Sequence, residues 1–422
     1  MYIQVKMQYI LTAPSHLDAT ITLPSSKSVS NRALIIHALS KGDILPNNLS
    51  VCDDTEVIVN AMQQHPYEID IKAAGTSMRF MTAYLAATTG EHILTGTERM
   101  RHRPIKLLVD ALRYLGADIE YVGEEGYPPL RIKGKSLDGG YIEIPGNVSS
   151  QYISALLMIG PVLKKGISIK MTGEIISKPY IDLTLWMMRE FGAEADWSDV
   201  DTVTVAPKPY CQRQYNIESD WGASSYWYEM IALCNDPEST LRFKGLMDAS
   251  KQGDSVVKYI FSLLGVKTRF SMQEDSAAPL VTLKNHRCLL PRLDYDFIGA
   301  PDLAQTLVVT CALLDVPFRF TGLASLKIKE TDRIEALKRE MRKLGFVLHD
   351  ENGDTLIWDG TRCAPTFEPI DTYEDHRMAM AFAPAAFILP RLTINNPQVV
   401  TKSYPQFWAD LEKAGFTIEK IK

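Results

Sequence analysis

The sequence predicts an α/β protein made of repeated units, and two observations lead to this prediction. First, an amphipathic segment, a glycine and a strand-like run follow one another five times along the chain. The five glycines lie 70 to 80 residues apart and are Gly116, Gly192, Gly265, Gly345 and Gly415. Second, further apolar segments with helix-start signals lie between these markers. Each unit is therefore expected to run strand, helix, strand, helix and strands within about 70 residues.

Each glycine stands where a left-handed residue would end a helix, and a strand-like run follows it. The five helix–glycine–strand segments are predicted at 108–122, 183–197, 256–270, 334–349 and 407–421. The helices between them are predicted at 28–40, 54–62, 77–87, 150–160, 224–234 and 304–314. The first unit is the exception, because the residues after the helix at 54–62 leave little room for the same strands. We interpret this unit as truncated.

Composition and charge restrict the class of protein. The 422 residues are 46% hydrophobic and 23% charged, which is typical of a globular protein and excludes a disordered or collagen-like chain. This length predicts two to three domains. The net charge of −6 disfavours nonspecific binding of nucleic acid, which usually needs a basic excess.

The location and redox state of the protein are also predicted from sequence. Residues 1–14 lack a basic segment followed by a long apolar stretch, so no signal peptide is expected. The longest nearly apolar run, at 378–389, is too short to span a bilayer and contains Pro384. The six cysteines lie far apart without a CxxC, which predicts reduced thiols and neither a zinc site nor a disulfide framework. We expect a soluble, cytoplasmic protein without a bound metal.

Several predicted helices begin with small hydroxyl residues and a nearby cation, a combination that suits anion binding. A helix N-terminus offers free backbone N–H groups and partial positive charge. Three such starts carry these residues: Lys27, Ser28 and Arg32; Gly75, Thr76 and Arg79; and Ser149, Ser150 and Gln151. Any one of them alone would be explained by ordinary helix capping. Because no Walker loop and no G-x-G-x-x-G motif is present, we expect side chains and helix ends to bind the anion.

The second half of the chain and one loop of the first half carry clusters of mixed charge. They are RMRHRPI at 99–105, KETDR at 329–333, EDHRMAM at 374–380 and TKSYP at 401–405. A solvated charged face would explain each cluster alone. It does not explain why cations repeatedly flank apolar helices and small residues at loop positions.

These motifs, in this order, resemble the EPSP synthase (3-phosphoshikimate 1-carboxyvinyltransferase) family over nearly the whole chain. The residues that carry the resemblance are SSKSVSNRA, AGTSMR, RHRPI, NVSSQY, SKPY, KETDR, DHRMAM and TKSYP. The resemblance implies an α/β fold of two similar lobes, each built from three βαβαββ units in an inside-out α/β barrel. It places the N-terminal lobe at 25–218 and a discontinuous C-terminal lobe at 1–24 and 219–422. The chain would cross between lobes near Pro24–Ser25 and near Glu218–Asp220.

The resemblance also implies the substrates, shikimate 3-phosphate and phosphoenolpyruvate (PEP), and the residues that contact them. For shikimate 3-phosphate these are Ser28, Arg32, Ser149, Ser150, Gln151, Ser177, Tyr180, Asp302 and Lys329. For PEP they are Lys27, Gly75, Arg103, Gln151, Arg333, Arg377 and Lys402. Arginine forks suit phosphate and carboxylate groups, whereas lysine supplies a movable point charge.

The implied reaction assigns three catalytic roles. The 5-hydroxyl of shikimate 3-phosphate attacks C2 of PEP while C3 gains a proton, and phosphate then leaves. This requires a base near the hydroxyl and an acid near C3. Asp302 is the candidate base, sharing that work with Lys27, and Glu330 is the candidate acid. The surrounding cations stabilise the departing phosphate, so we expect neither a metal nor a cofactor.

Two positions depart from the family pattern, and one matches a known inhibitor site. Ala73 and Ser325 stand where the family commonly has asparagine, which affects fine affinity more than identity. Gly75 is the small residue that leaves room for the herbicide glyphosate in this family, so we predict inhibition by glyphosate.

Alternative functions remain open at this point. A sister enolpyruvyl transferase acts on UDP-N-acetylglucosamine, but it typically carries a reactive cysteine near RMRHRPI, and no cysteine lies between Cys52 and Cys211 here. A non-catalytic relative that binds phosphorylated metabolites would have lost its acid or base, yet Lys27, Asp302 and Glu330 are present. We expect a monomer that binds small molecules, neither nucleic acid nor membranes.

Overall fold

The computed structural model describes residues 7–272, 278–288 and 290–421. The chain forms two compact units. We call Ser25–Glu218 the N-terminal unit, and Met1–Pro24 together with Ser219–Lys422 the C-terminal unit. The interpretation of residues 1–14 as lacking a signal peptide falls partly on residues 1–6, outside the described residues.

Helices and strands are distributed along the whole of the described chain. The helices are α1 (Lys27–Leu39), α2 (Asp53–Gln64), α3 (Gly75–Ala87), α4 (Glu98–Arg101), α5 (Lys106–Tyr114), α6 (Ser150–Ile159), α7 (Lys178–Glu190), α8 (Trp221–Leu233), α9 (Val257–Leu263), α10 (Ala304–Leu313), α11 (Arg333–Lys343), α12 (His376–Phe382) and α13 (Phe407–Lys413). The strands are β1 (Gln8–Thr12), β2 (Asp18–Thr22), β3 (Glu68–Asp70), β4 (Gly90–Thr95), β5 (Asp118–Tyr121), β6 (Leu130–Gly134), β7 (Gly140–Pro145), β8 (Ile167–Thr172), β9 (Ala195–Asp199), β10 (Thr202–Val205), β11 (Thr240–Lys244), β12 (Val266–Ser271), β13 (Leu280–Asn285), β14 (Leu293–Asp296), β15 (Phe318–Thr321), β16 (His349–Glu351), β17 (Thr355–Trp358), β18 (Leu392–Asn395) and β19 (Thr417–Ile421).

Four of the sheets share one strand order. The N-terminal unit contains β3-β4-β6-β5 and β7-β8-β10-β9, and the C-terminal unit contains β2-β11-β13-β12 and β14-β15-β17-β16. In each sheet the first pair is parallel and the other two pairs are antiparallel. A parallel pair needs a crossover helix, whereas antiparallel neighbours can follow a short turn. This confirms the predicted α/β fold of repeated units.

The N-terminal segment of the chain completes two sheets of the C-terminal unit. Strand β2 pairs in parallel with β11. Strand β1 lies between β18 and β19 and is antiparallel to both. An isolated parallel bridge from Ile370 to Ile394 extends this sheet and gives it the same arrangement as the other four. Both ends of the chain therefore build the C-terminal unit.

The first unit is truncated, as predicted. Helices α1 and α2 stand at its centre, and the described residues 25–66 contain no strand of a sheet. In the segment that connects α1 to α2, Asn47 forms an isolated parallel bridge with Asn216.

The glycine predictions are confirmed. The five glycines that follow helices α5, α7, α9, α11 and α13 have φ between +82° and +101°, a region that residues with a side chain rarely adopt. Several helices begin earlier than predicted: α3 begins at Gly75 and not at residue 77, α7 at Lys178 and not at residue 183, and α8 at Trp221 and not at residue 224. The Asp220 side chain accepts a hydrogen bond from the backbone N–H of Ala223 at 2.9 Å and so caps α8 earlier.

Each unit has its own hydrophobic core, and the helices that carry site residues run through it. All thirteen residues of α8 are buried, as are nine of the ten residues of α10. Helices that are buried on nearly every face, as these two are, occupy the centre of a fold. Most of the predicted site residues lie near the N-termini of α1, α3, α6, α7, α10, α11 and α12, where the first backbone N–H groups have no partner within the helix.

None of the helices in the described parts of the chain combines the length and the apolar character that crossing a membrane requires.

Candidate active site

In the C-terminal unit, three carboxylates surround one buried guanidinium. Arg333 Nε lies 2.7 Å from Asp375 Oδ2, Nη1 lies 2.8 Å from Asp302 Oδ1, and Nη2 lies 2.9 Å from Glu330 Oε2. Burial alone would lower the pKa of Arg333, but the three carboxylates raise it above the ordinary value. Arg333 is therefore a permanent cation that fixes both predicted catalytic carboxylates.

Arg377 holds the other side of Asp302. Its Nη2 lies 3.1 Å from Asp302 Oδ2, and its Nη1 donates to the Asp302 carbonyl at 3.2 Å and to the Tyr226 hydroxyl at 3.3 Å. Burial would raise the pKa of the Asp302 carboxyl, but Arg377, Lys329 and Arg333 hold it well below the ordinary value. Asp302 is accordingly ionised at neutral pH, as a proton acceptor must be.

Two lysines complete this network. Lys402 Nζ lies 2.7 Å from Glu330 Oε1, and Lys329 Nζ lies 3.6 Å from Asp302 Oδ1. Six predicted site residues of this unit thus form one continuous charged cluster: Asp302, Lys329, Glu330, Arg333, Arg377 and Lys402.

Asp375 anchors the cluster to the fold. It is fully buried, binds Arg333 through both oxygens, at 2.7 Å and 3.4 Å, and accepts the backbone N–H of Arg377 at 2.9 Å. The carboxylate therefore caps α12 and at the same time compensates a buried cation. Because removing one partner leaves a buried charge uncompensated, this arrangement sets the positions of both arginines.

In the N-terminal unit, Arg32 is a buried cation whose described hydrogen bonds go to neutral oxygens. Nε donates to Thr184 Oγ1 at 2.7 Å, Nη1 to the Ser28 carbonyl at 2.9 Å, and Nη2 to Ser154 Oγ at 3.2 Å and the Tyr180 carbonyl at 3.3 Å. Burial lowers the pKa of Arg32 to about 10. A buried positive charge in such surroundings favours an anionic ligand.

Lys27, at the start of α1, pairs with a residue of α2. Its Nζ lies 3.4 Å from Asp54 Oδ2, and the Asp54 side chain is almost completely buried. Asp54 lies in the first turn of α2, where the helix N-terminus also stabilises a carboxylate. The pair holds the lysine charge beside the start of α1.

Gly75 packs directly against two guanidinium groups. A Cβ atom built on Gly75 would lie 2.5 Å from Arg103 Nη1 and 2.9 Å from Arg79 Nη1, closer than real contacts allow. Arg79 Nη1 also donates to the Gly75 carbonyl at 2.8 Å. The absence of a side chain at this position therefore lets two cations approach the N-terminus of α3.

The predicted hydroxyl and amide residues stand at helix starts. Ser149 caps α6, since its Oγ accepts from the backbone N–H of Gln151, and the Gln151 amide donates to Thr76 Oγ1 at 3.1 Å. Ser150 is the first residue of α6. Ser177 precedes α7 with a φ of +54°, and its carbonyl accepts the backbone N–H of Tyr180 at 3.0 Å. Gln151 is thus connected to the N-terminus of α3, and the three serines lie at the N-termini of α6 and α7.

Three residues that the sequence interpretation left out of the site lie in these clusters. Asp375 caps α12, Tyr226 contacts Arg377, and Asp54 contacts Lys27. A signal existed for Asp375, which follows Glu374 and lies two positions before Arg377 in EDHRMAM. No local pattern marked Asp54 or Tyr226, because each meets its partner from a distant part of the chain. Among the described residues, no group of three or more His, Cys, Asp or Glu side chains is placed to hold a metal ion.

Comparisons with known proteins identify the family. The family model for EPSP synthase (3-phosphoshikimate 1-carboxyvinyltransferase) matches residues 11–65 and 62–411. A curated protein named 3-phosphoshikimate 1-carboxyvinyltransferase from Bacteroides fragilis is 59% identical over 414 residues, which covers 98% of this chain and 99% of that protein. One of the same name from Cellvibrio japonicus is 37% identical over 434 residues and covers 95% of this chain and 98% of that protein.

Solved structures show the same fold. An EPSP synthase from Acinetobacter baumannii superposes with a TM-score of 0.78 at 20% identity, covering 99% of this chain and 100% of that one. The enolpyruvyl transferase NikO from Streptomyces tendae superposes with a TM-score of 0.73 at 16% identity, covering 99% of both chains. From the family model and the full-length relatives it follows that the chain belongs to the EPSP synthase (3-phosphoshikimate 1-carboxyvinyltransferase) family.

Proposed function

We propose that the protein transfers the carboxyvinyl group of PEP to the 5-hydroxyl of shikimate 3-phosphate, giving EPSP and phosphate in the shikimate pathway of aromatic amino-acid biosynthesis. Membership of the family supports this activity. The observation that carries it is the charged cluster of the C-terminal unit, in which Asp302 and Glu330 share the cations Arg333, Arg377 and Lys402. This cluster holds the proposed base, the proposed acid and the proposed anion-binding groups together.

Shikimate 3-phosphate is proposed to contact the N-terminal unit through Arg32 and the helix-start serines. The buried guanidinium and the positive N-terminal ends of α1, α6 and α7 suit its phosphate and carboxylate. The full set proposed for this substrate is Ser28, Arg32, Ser149, Ser150, Gln151, Ser177, Tyr180, Asp302 and Lys329.

PEP is proposed to contact cations of both units. Lys27, Arg103 and Gln151 belong to the N-terminal unit, together with Gly75, whose lack of a side chain lets Arg103 approach α3. Arg333, Arg377 and Lys402 belong to the C-terminal unit. We expect shikimate 3-phosphate to increase the affinity for PEP, which calorimetry with and without shikimate 3-phosphate would measure.

The chemical steps follow from these positions. Asp302, with Lys27, accepts the proton of the 5-hydroxyl while its oxygen forms a bond to C2 of PEP, and Glu330 gives a proton to C3. The tetrahedral adduct then loses phosphate from C2 and a proton from C3, which restores the double bond. Arg333, Arg377 and Lys402 stabilise the charge on the departing phosphate.

Binding of PEP would change the charge around both carboxylates. In the structure, Lys402 contacts Glu330 and Arg377 contacts Asp302, so these cations are shared with the catalytic groups. An anion that attracts Lys402 leaves less positive charge beside Glu330, and a carboxyl group keeps its proton more readily when cations withdraw. Substrate binding itself would thereby prepare Glu330 to act as an acid.

We further propose a cytoplasmic monomer that works without a cofactor or metal. The deciding experiment is phosphate release from PEP by the purified protein, with and without shikimate 3-phosphate, in the presence of a metal chelator. Release that depends on shikimate 3-phosphate and yields a carboxyvinyl ether supports the proposal. Binding of shikimate 3-phosphate without release would indicate a non-catalytic relative, and sedimentation of the same sample reports the oligomeric state.

A further inference from the structure

We infer that Tyr226 is a positioning residue for the proposed reaction: its hydroxyl fixes the Arg377 guanidinium in the orientation that binds PEP. The inference rests on the proposed function. Arg377 Nη1 donates to the Tyr226 hydroxyl at 3.3 Å and to the Asp302 carbonyl at 3.2 Å, so one nitrogen is held by two neutral oxygens. The other nitrogen, Nη2, pairs with the Asp302 carboxylate at 3.1 Å.

Tyr226 is itself rigidly held. It lies in α8, all of whose residues are buried, and its own exposed fraction is 1%. Its ring packs edge-on against Phe407, with centroids 6.0 Å apart and an interplanar angle of 73°. Phe407 in turn packs against Tyr404 and Trp408. The hydroxyl therefore has little freedom to move when Arg377 changes partner.

The hydroxyl is neutral at the pH of the reaction. Burial raises the pKa of Tyr226 to about 12, although Arg377 and Arg333 oppose the shift. A neutral oxygen accepts a hydrogen bond from a guanidinium without cancelling its charge. Asp302 cannot do this, because its carboxylate competes with the anionic substrate for the same cation.

This difference gives Tyr226 a role distinct from that of Asp302. As PEP approaches, the ion pair between Arg377 and Asp302 weakens, and Asp302 becomes available to accept a proton. The bond from Arg377 Nη1 to Tyr226 involves no charge on the acceptor and can persist through this exchange. Without this bond, Arg377 would lose side-chain freedom when PEP binds, and that entropy cost would weaken the affinity for PEP.

The chain offers a matched control on the same helix. Tyr228 lies two residues further along α8, is fully buried, and its hydroxyl bonds to Thr268 Oγ1 at 2.9 Å. Burial also raises the pKa of this phenol. This contact joins the Tyr228 hydroxyl to β12 and not to the charged cluster. Tyr226→Phe and Tyr228→Phe therefore remove the same group from similarly buried sites, and both keep the ring.

The test compares steady-state kinetics of wild type, Tyr226→Phe and Tyr228→Phe, with each substrate varied in turn. We expect Tyr226→Phe to raise KM for PEP about three- to tenfold, the range for one hydrogen bond of this kind, with KM for shikimate 3-phosphate unchanged. Tyr228→Phe should leave both values unchanged. In an Arg377→Lys background, Tyr226→Phe should cause no further rise, because the two changes remove one interaction.

The outcomes separate this inference from the proposed function. Equal PEP constants for the two phenylalanine variants, with an active wild type, would overturn the role of Tyr226. So would an equal rise in KM for both substrates, because it would indicate general damage to the unit. A wild type without phosphate release that depends on shikimate 3-phosphate would overturn the proposed function, and the inference with it.

Discussion

The Lys402 ammonium forms an ion pair with the Glu330 carboxylate, with 2.7 Å between Nζ and Oε1. The other oxygen of the same carboxylate, Oε2, lies 2.9 Å from Arg333 Nη2. Glu330, the proposed acid, is therefore held between two of the cations that are proposed to bind PEP. We therefore expect any substitution in this trio to change both the proposed binding of PEP and the proposed proton transfer, in different proportions.

Lys402→Ala should mainly affect PEP. Removing a charged hydrogen-bonding group is expected to raise KM for PEP about tenfold to a hundredfold and to leave KM for shikimate 3-phosphate within about twofold. Steady-state kinetics with each substrate varied measures both constants. Lys420→Ala, a change at an exposed ion pair with Glu412, is the control and should have no effect. A parallel rise in both constants would contradict the assignment.

Glu330→Gln should mainly affect turnover. The amide keeps the size of the side chain but cannot supply a proton, so kcat is expected to fall about a hundredfold to ten-thousandfold. Calorimetry should show shikimate 3-phosphate binding close to that of wild type. Glu335→Gln, which alters a partly exposed pair with Lys338, serves as the control. Near-normal turnover of Glu330→Gln would remove Glu330 from the list of catalytic residues.

Gly75→Ala should weaken the binding of PEP and the inhibition by glyphosate. The new methyl group would displace the Arg103 and Arg79 guanidinium groups, which lie 2.5 Å and 2.9 Å from the built Cβ position. We expect wild type to be inhibited by glyphosate at low PEP, and the variant to need a higher concentration and to show a raised KM for PEP. Gly123→Ala is the control, because its Cβ would approach one atom only, at 4.0 Å. No inhibition of wild type across a dose series would refute the predicted sensitivity.

Glu229→Gln should change how stability depends on pH. Burial raises the pKa of the Glu229 carboxyl well above its ordinary value. A raised pKa means that the folded protein binds a proton which the unfolded chain releases, so its contribution is complete at acid pH and is lost as pH rises. The free energy of unfolding of the variant minus that of wild type should therefore increase with pH, by up to about 1.4 kcal/mol per unit.

Urea unfolding at pH 5.5 and pH 8 measures this difference. Glu368→Gln, at an exposed position of the same unit, is the control for loss of one carboxylate charge. A Glu229→Gln difference that does not change with pH would show that the Glu229 carboxyl ionises in the folded protein.

Much of the fold follows from local sequence. Five glycines with positive φ end helices α5, α7, α9, α11 and α13. These helix ends can be predicted from sequence because glycine adopts that conformation at no steric cost. What local patterns could not show is the pairing of β1 with β18 and β19. Strand pairing over such sequence separations depends on tertiary packing, and only the family resemblance assigned the first residues to the C-terminal unit.

The site divides in the same way. The sequence predicts the grouping of residues within one motif, such as Lys329, Glu330 and Arg333 in KETDR, because a helix start places them together. Tyr226 and Arg377 lie 151 positions apart, and Lys27 meets Asp54 across two helices. Periodicity identifies buried faces but not which polar atoms meet there. The roles of the site residues stay predictions until the variants are measured.

The use of both chain ends in one unit has a consequence for biosynthesis. Residues 25–218 leave the ribosome as a contiguous segment, whereas β1 and β2 must wait, unpaired, until β11, β18 and β19 have been made. Gln8 lies opposite Ile421 in antiparallel strands. Joining β19 to β1 through a short linker and opening the chain between Pro24 and Ser25 would therefore create a circular permutant that begins at Ser25. In that permutant each unit would be encoded by one uninterrupted stretch, and the waiting period of the two early strands would vanish.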